Sequence, residues 1–139
     1  MDKVLLDTNV LIDFLATARP GHGVAVDLMQ RVLDDGFDLC VVATSLKDVY
    51  YILGRVDGES VARQAVESIM AVATILPVDD ACCRVALAST EPDFEDGIIR
   101  AAAEIAQVRY LVSRDHHAFA GSWVPRIAPA DLLREWANG

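Results

Sequence analysis

Asp7 ends the first apolar run of the chain, KVLLD, and Thr8 and Asn9 follow before the sequence turns apolar again through VLIDFL. Asp115 stands in the same way behind a second run, YLVS, two residues after Ser113. Asp48 in ATSLKDVYYILG, and Asp93 and Asp96 in EPDFEDGIIRAAAEIA, fall near the starts of helical patterns. Taken singly, such acids cap helices or complement the helix dipole. Gathered at one place, three or four carboxylates repel and raise one another's pKa unless a cation lies among them. Hard divalent cations prefer oxygen ligands, and Mg2+ held by a few carboxylates keeps positions open for a phosphate. Such a site can activate a water and stabilise a leaving oxygen.

Whether these acids meet depends on the elements that carry them. Short aliphatic or β-branched runs predict strands at Val4–Leu6, Leu39–Ala43, Thr74–Val78, Tyr110–Ser113 and, more weakly patterned, Pro125–Ala128. Helical spacing fills the intervals: His22–Asp35 with Gly36 as a stop, a helix from Thr44 or Ser45 to Gly54, and Val61–Ala73. Further helices run from Asp79 or Asp80 through Leu87, across Asp93–Gln107, and from Pro129 to Trp136. This alternation predicts an α/β fold with a central, mainly parallel five-stranded sheet, and residues 1–139 read as one domain. In open parallel sheets ligands gather beyond the carboxyl ends of the strands, where Asp7 and Asp115 fall. Asp93 and Asp96 share a helix face, and Gly97 leaves room there for close packing or for a substrate. Asp13, further into the helix after Asp7, reads as a solvated or capping-turn acid.

Composition restricts the partners. A 139-residue chain with 53% hydrophobic residues suffices for one buried core. The formal net charge of -9 is the reverse of a simple nucleic-acid binder, so a bound polyanion needs a cation to bring it in. Cys40, Cys82 and Cys83 lack CxxC spacing, which predicts reduced thiols and a cytoplasmic setting. The short, interrupted apolar run at the N-terminus is neither a signal-peptide core nor a membrane span.

The four acidic segments together resemble the PIN-domain nucleases, including the VapC-type toxins of toxin–antitoxin pairs. DTNVLID looks like that family's opening motif, SLKDVYYIL its second, DFEDGIIRAAA its third and LVSRDHHAF its fourth. The resemblance implies a three-layer α/β/α sandwich and an acidic site of Asp7, Asp48, Asp96 and Asp115. Asn9 and Ser113 would support it, and Asp93 would be an added or alternative third acid. The family's second motif most often carries Glu, one methylene longer than Asp48. The resemblance further implies Mg2+ or Mn2+, one or two ions per site, and hydrolysis of RNA phosphodiesters to 5'-phosphate and 3'-hydroxyl ends. It also implies a homodimer and, in the toxin branch, a small cognate antitoxin that inserts into the acidic groove.

Lys47, Arg100 and Arg114 lie beside these acids in sequence and are candidates to receive the RNA backbone, set against the ordinary role of such residues as solvated or locally paired charges. His116 and His117 point in different directions on a regular element, which argues against a shared catalytic role. Tyr50, Tyr51, Trp123 and Trp136 either stack bases or pack in a core or dimer interface. Two rival readings remain. One is a nucleic-acid or protein binding module with this fold and weak or lost catalysis. The other is a haloacid-dehalogenase-type phosphatase, whose second acid, two residues after the nucleophile, is here replaced by Asn9.

Overall fold

The computed structural model describes residues 1–139. Five strands, β1 (Lys3–Leu6), β2 (Asp38–Val42), β3 (Thr74–Leu76), β4 (Tyr110–Val112) and β5 (Arg126–Ile127), form one sheet in the order β3-β2-β1-β4-β5. Every pairing is parallel. The expected α/β/α sandwich around a parallel five-stranded sheet is therefore the fold observed.

Side chains on successive strand residues point to opposite faces, and here both faces are apolar because helices cover both. Val4 and Leu6, Leu39 and Val41, and Tyr110 and Val112 join one core. That core is completed by α1 (Thr8–Leu15), α2 (His22–Asp34), α3 (Ala43–Asp57), α4 (Glu59–Val72) and α7 (Pro129–Asn138). Leu5, Cys40 and Val42, and Leu111 face a second core with α5 (Asp80–Ala88) and α6 (Phe94–Ala106). The alanines 101 to 103 are all buried, which lets α6 lie close to the sheet. No helix is long and apolar enough to cross a membrane.

Several boundaries differ from the sequence expectation, those of α3 and α4 among them. The helix expected to stop at Gly54 continues to Asp57, and Gly54 is an interior residue whose missing side chain faces the Ala62 methyl of α4. The stop is Gly58, at φ +93°, where L side chains are strained; it ends α3 and begins α4 with no other residue between them. α3 also starts ahead of the expected Thr44 or Ser45, at Ala43, directly off β2 and with no side-chain cap.

Strand order reverses at β1, with β2 on one side and β4 on the other. This is the topological switch point at which a crevice opens beyond the carboxyl ends of parallel strands. Asp7 follows β1 and Ser113 follows β4, and the ladder extends to them: the Asp7 amide donates to the Val112 carbonyl at 2.9 Å.

Candidate active site

Asp7 caps α1 and faces the crevice. Its Oδ1 accepts the Thr8 amide at 2.7 Å, the expected capping role, while Oδ2 accepts the Ser113 hydroxyl at 2.7 Å. The Asn9 side-chain amide reaches both Asp7 Oδ2 (3.3 Å) and Ser113 Oγ (3.4 Å), and its Oδ1 accepts the Arg114 amide at 3.3 Å. Asn9 and Ser113 thus tie the ends of β1 and β4 together around Asp7. Asp7 is only 5% exposed, and burial pushes its carboxyl above the ordinary range against the pull of these hydrogen bonds.

Asp115 is held differently. Its Oδ1 accepts the His117 amide at 2.8 Å and the Ala118 amide at 3.1 Å, which lower its pKa. The His117 backbone contributes the hydrogen bond and its imidazole only a weaker electrostatic pull on Asp115; both histidine side chains are exposed. Asp96 lies in the first turn of α6, and burial, reinforced by Asp7, Asp93, Asp115 and Glu91, pushes its carboxyl up to about 6. Asp93 is the N-cap of that helix, with Oδ1 accepting the Glu95 amide at 2.8 Å. Of the two alternatives for the third acid, Asp96 is the one that lines the crevice.

Asp48 enters from α3. The Thr8 and Ser45 hydroxyls are 2.8 Å apart, fixing the start of α3 against the start of α1, and Asp48 follows one turn later with Lys47 Nζ 3.4 Å from its Oδ1. Asp7, Asp48, Asp96 and Asp115 all line one open cleft of about 820 Å³. Tyr51, Ile52 and Arg55 extend the α3 wall, Phe94 and Glu95 the α6 wall, and Arg19 joins from the α1–α2 connection. No three of the acidic, histidine or cysteine side chains are close enough, as they stand, to share a single ion. The donor chemistry nevertheless fits a hard divalent cation: four carboxylates converge from four elements, two with pKa values raised by burial and mutual repulsion.

Two expectations need correction, and one open alternative is decided. Arg100 does not turn toward the cleft: its guanidinium is taken by Glu91, Glu104, Thr90 and the Gly121 carbonyl, and its side chain is 11% exposed. Asp13 is not solvated; it is 3% exposed and paired with Arg19 and Arg114. The room at Gly97 serves packing, since an added Cβ would stand 3.2 Å from the Ala86 carbonyl of α5. The sequence reading also missed Glu91, which lies in a polar loop without periodicity, and Arg19 and Arg55. Among the aromatics, Tyr51 reaches the cleft, Tyr50 donates to Glu59, and Trp136 stacks on Phe37.

Comparison with known proteins bears on the family. Ribonuclease VapC1 of Aquifex aeolicus (strain VF5) is 25% identical over 119 residues, 82% of each chain. VapC20 of Mycobacterium tuberculosis, a sarcin–ricin loop cleaving toxin, matches with a TM-score of 0.67 at 16% identity over 82% of this chain and 91% of its own. A toxin–antitoxin complex from Klebsiella pneumoniae matches with a TM-score of 0.68 at 22% identity over 91% of this chain and 97% of its own. The PIN domain model matches residues 3–117. Because that match runs from the first strand through the Asp115 loop and takes in all four acidic segments, the chain belongs to the PIN-domain family.

Proposed function

We propose that the chain is an endoribonuclease dependent on Mg2+ or Mn2+, the toxin of a toxin–antitoxin pair, with residues 1–139 acting as one nuclease domain. The observation that carries this reading is the convergence of Asp7, Asp48, Asp96 and Asp115 on one open cleft at the switch point of the sheet. The likeness to VapC1 and VapC20 supports RNA as the substrate. The likeness to a toxin–antitoxin complex supports a small antitoxin as partner, and a homodimer is part of the same proposal. The free thiols of Cys40, Cys82 and Cys83 accord with a cytoplasmic setting.

When bound, one or two divalent ions supply charge neutralisation at the phosphate and acidify the attacking water. Asp7, oriented by Thr8, Asn9 and Ser113, is the central ligand, with Asp96 and Asp115 beside it. Asp48 approaches from the opposite wall and acts directly or through a water. Lys47, on the exposed rim of α3, offers a cation to the RNA backbone in a chain whose net charge would otherwise repel it.

The test is incubation of labelled RNA with purified protein, with and without Mg2+ or Mn2+, beside Asp7→Asn. Metal-dependent cleavage that the substitution abolishes while folding is retained supports the proposal. Near-normal cleavage by Asp7→Asn sinks it, and absence of cleavage with retained partner binding favours the binding module.

A further inference from the structure

Asp13 is the acid that the site does not use, and it is surrounded by charge. It lies in α1 among the buried residues Val10, Leu11 and Ile12. Its carboxylate takes the Arg19 Nε at 2.8 Å on Oδ1, the Arg114 Nε at 2.6 Å on Oδ2, and the Arg114 Nη2 at 3.4 Å on Oδ1. The site is closed behind it: an added Cβ on Gly21 would stand 2.4 Å from Oδ2, and His22 Nδ1 lies 3.0 Å from the Asp13 backbone carbonyl. One buried negative charge therefore organises two guanidinium groups and leaves a surplus positive charge.

The two arginines lie beside the acidic cleft. Arg19 lines it, and Arg114 immediately precedes Asp115, donates its amide to Asn9 and is close enough to Asp7 to pull its pKa down. Their side chains are 40% and 45% exposed, so both keep surface open to solvent while Asp13 holds them. A guanidinium has five N–H donors; Asp13 occupies one of Arg19's and two of Arg114's, which leaves donors of both for an outside acceptor. Planar forks of this kind match phosphate oxygens.

We propose that Arg19 and Arg114 form a phosphate-binding seat for the RNA backbone beside the cleavage site, and that Asp13 is the positioning residue that aims them. This rests on the nuclease reading above. The seat explains how a chain of net charge -9 seats a polyanion along one wall of a carboxylate cluster.

The experiment measures binding of a fluorescent single-stranded RNA of mixed sequence by anisotropy over a salt series, with Ca2+ replacing Mg2+, and cleavage kinetics with Mg2+. Arg19→Gln and Arg114→Gln each lower the slope of log affinity against log salt by about 0.7. Each raises KM about tenfold, the loss expected for one charge-assisted contact, with kcat changed much less. Asp13→Asn separates positioning from simple attraction: it adds one unit of positive charge, which alone would lower KM, whereas loss of aim raises it. Unchanged slopes and KM in both arginine variants overturn the seat, and a lowered KM in Asp13→Asn overturns the positioning role. If the Asp13 variant does not fold, the half-exposed arginines decide alone. A wild type that binds RNA without cleaving it brings down the nuclease reading while the slopes still judge the seat. A wild type that does not bind RNA brings down the seat itself.

Discussion

The Ser113 hydroxyl donates to Asp7 Oδ2 at 2.7 Å across the seam where β1 and β4 end, joining residues 106 positions apart in sequence. The same oxygen accepts the Asp115 amide at 3.1 Å, so one hydroxyl links the acid after β1 to the acid after β4. Ser113 is fully buried, and its bond is the largest of the pulls that partly offset the rise burial imposes on the Asp7 pKa. Ser113→Ala removes a stabiliser of the ionised form, so the Asp7 pKa rises further and the acid limb of the kcat/KM profile moves to higher pH. The expected loss near neutral pH is about 10- to 100-fold, as for other outer partners of ligating groups. A pH–rate profile superimposable on the wild type would show that Ser113 is only a packing residue.

The raised pKa of Asp96 makes stability depend on pH in a definite direction. In the folded chain its carboxyl keeps a proton up to about pH 6, whereas an ordinary Asp releases it near 3.8. Between these values the native state binds more protons than the unfolded state, so stability falls as pH rises from about 4 to 6 and is flat above. Asp96 is only partly buried, and solvent screening reduces the effect to about 1 kcal/mol. Asp115 works in the other sense and elsewhere: its lowered pKa contributes stability above about pH 4 that is lost below it. In EDTA, the unfolding free energy of the wild type should fall relative to Asp96→Asn between pH 4.5 and 7. Adding Mg2+ should raise the wild-type midpoint more at pH 7 than at pH 5. Parallel pH curves for the two proteins, together with indifference to Mg2+, would show that Asp96 is neither held protonated by burial and its acidic neighbours nor placed to bind the ion.

The local chemistry of the acids was legible because each sits at the end of an apolar run or the start of a helical one. Their convergence was not, since periodicity says nothing about strand order, and it is the place of β1 between β2 and β4 that brings Asp7 and Asp115 together. Asp13 carried a readable signal that went unused: in TNVLIDFL nearly every neighbour is apolar, so an acid there must be buried and paired. Gly54 misled for the opposite reason, because a glycine packed inside a helix against the Ala62 methyl resembles one that ends a helix. The fate of Arg100 was beyond sequence reading, since its acceptors come from the same helix, from the loop before α6 and from the loop after β4.

That fate yields the remaining prediction. Arg100 Nη1 donates to Glu91 Oε2 at 2.9 Å and Nη2 to the Gly121 carbonyl at 2.8 Å, while Nε donates to Glu104 Oε2 at 3.0 Å. Glu91 in turn accepts the Phe119 amide at 2.8 Å, where the backbone has the strained φ of +71°. The helix that carries Asp96 is thereby bound to the loop that carries Asp115. Arg100→Ala strands the Glu91 carboxylate, whose side chain is 4% exposed, and should cost about 3–5 kcal/mol in urea unfolding. Arg100→Lys should recover little of this, because an ammonium cannot span four separate acceptors as a planar fork does. If Arg100 instead contacted the substrate, Arg100→Ala would leave unfolding unchanged and flatten the salt dependence of RNA binding. The network predicts the reverse: a large loss of stability with the salt slope intact.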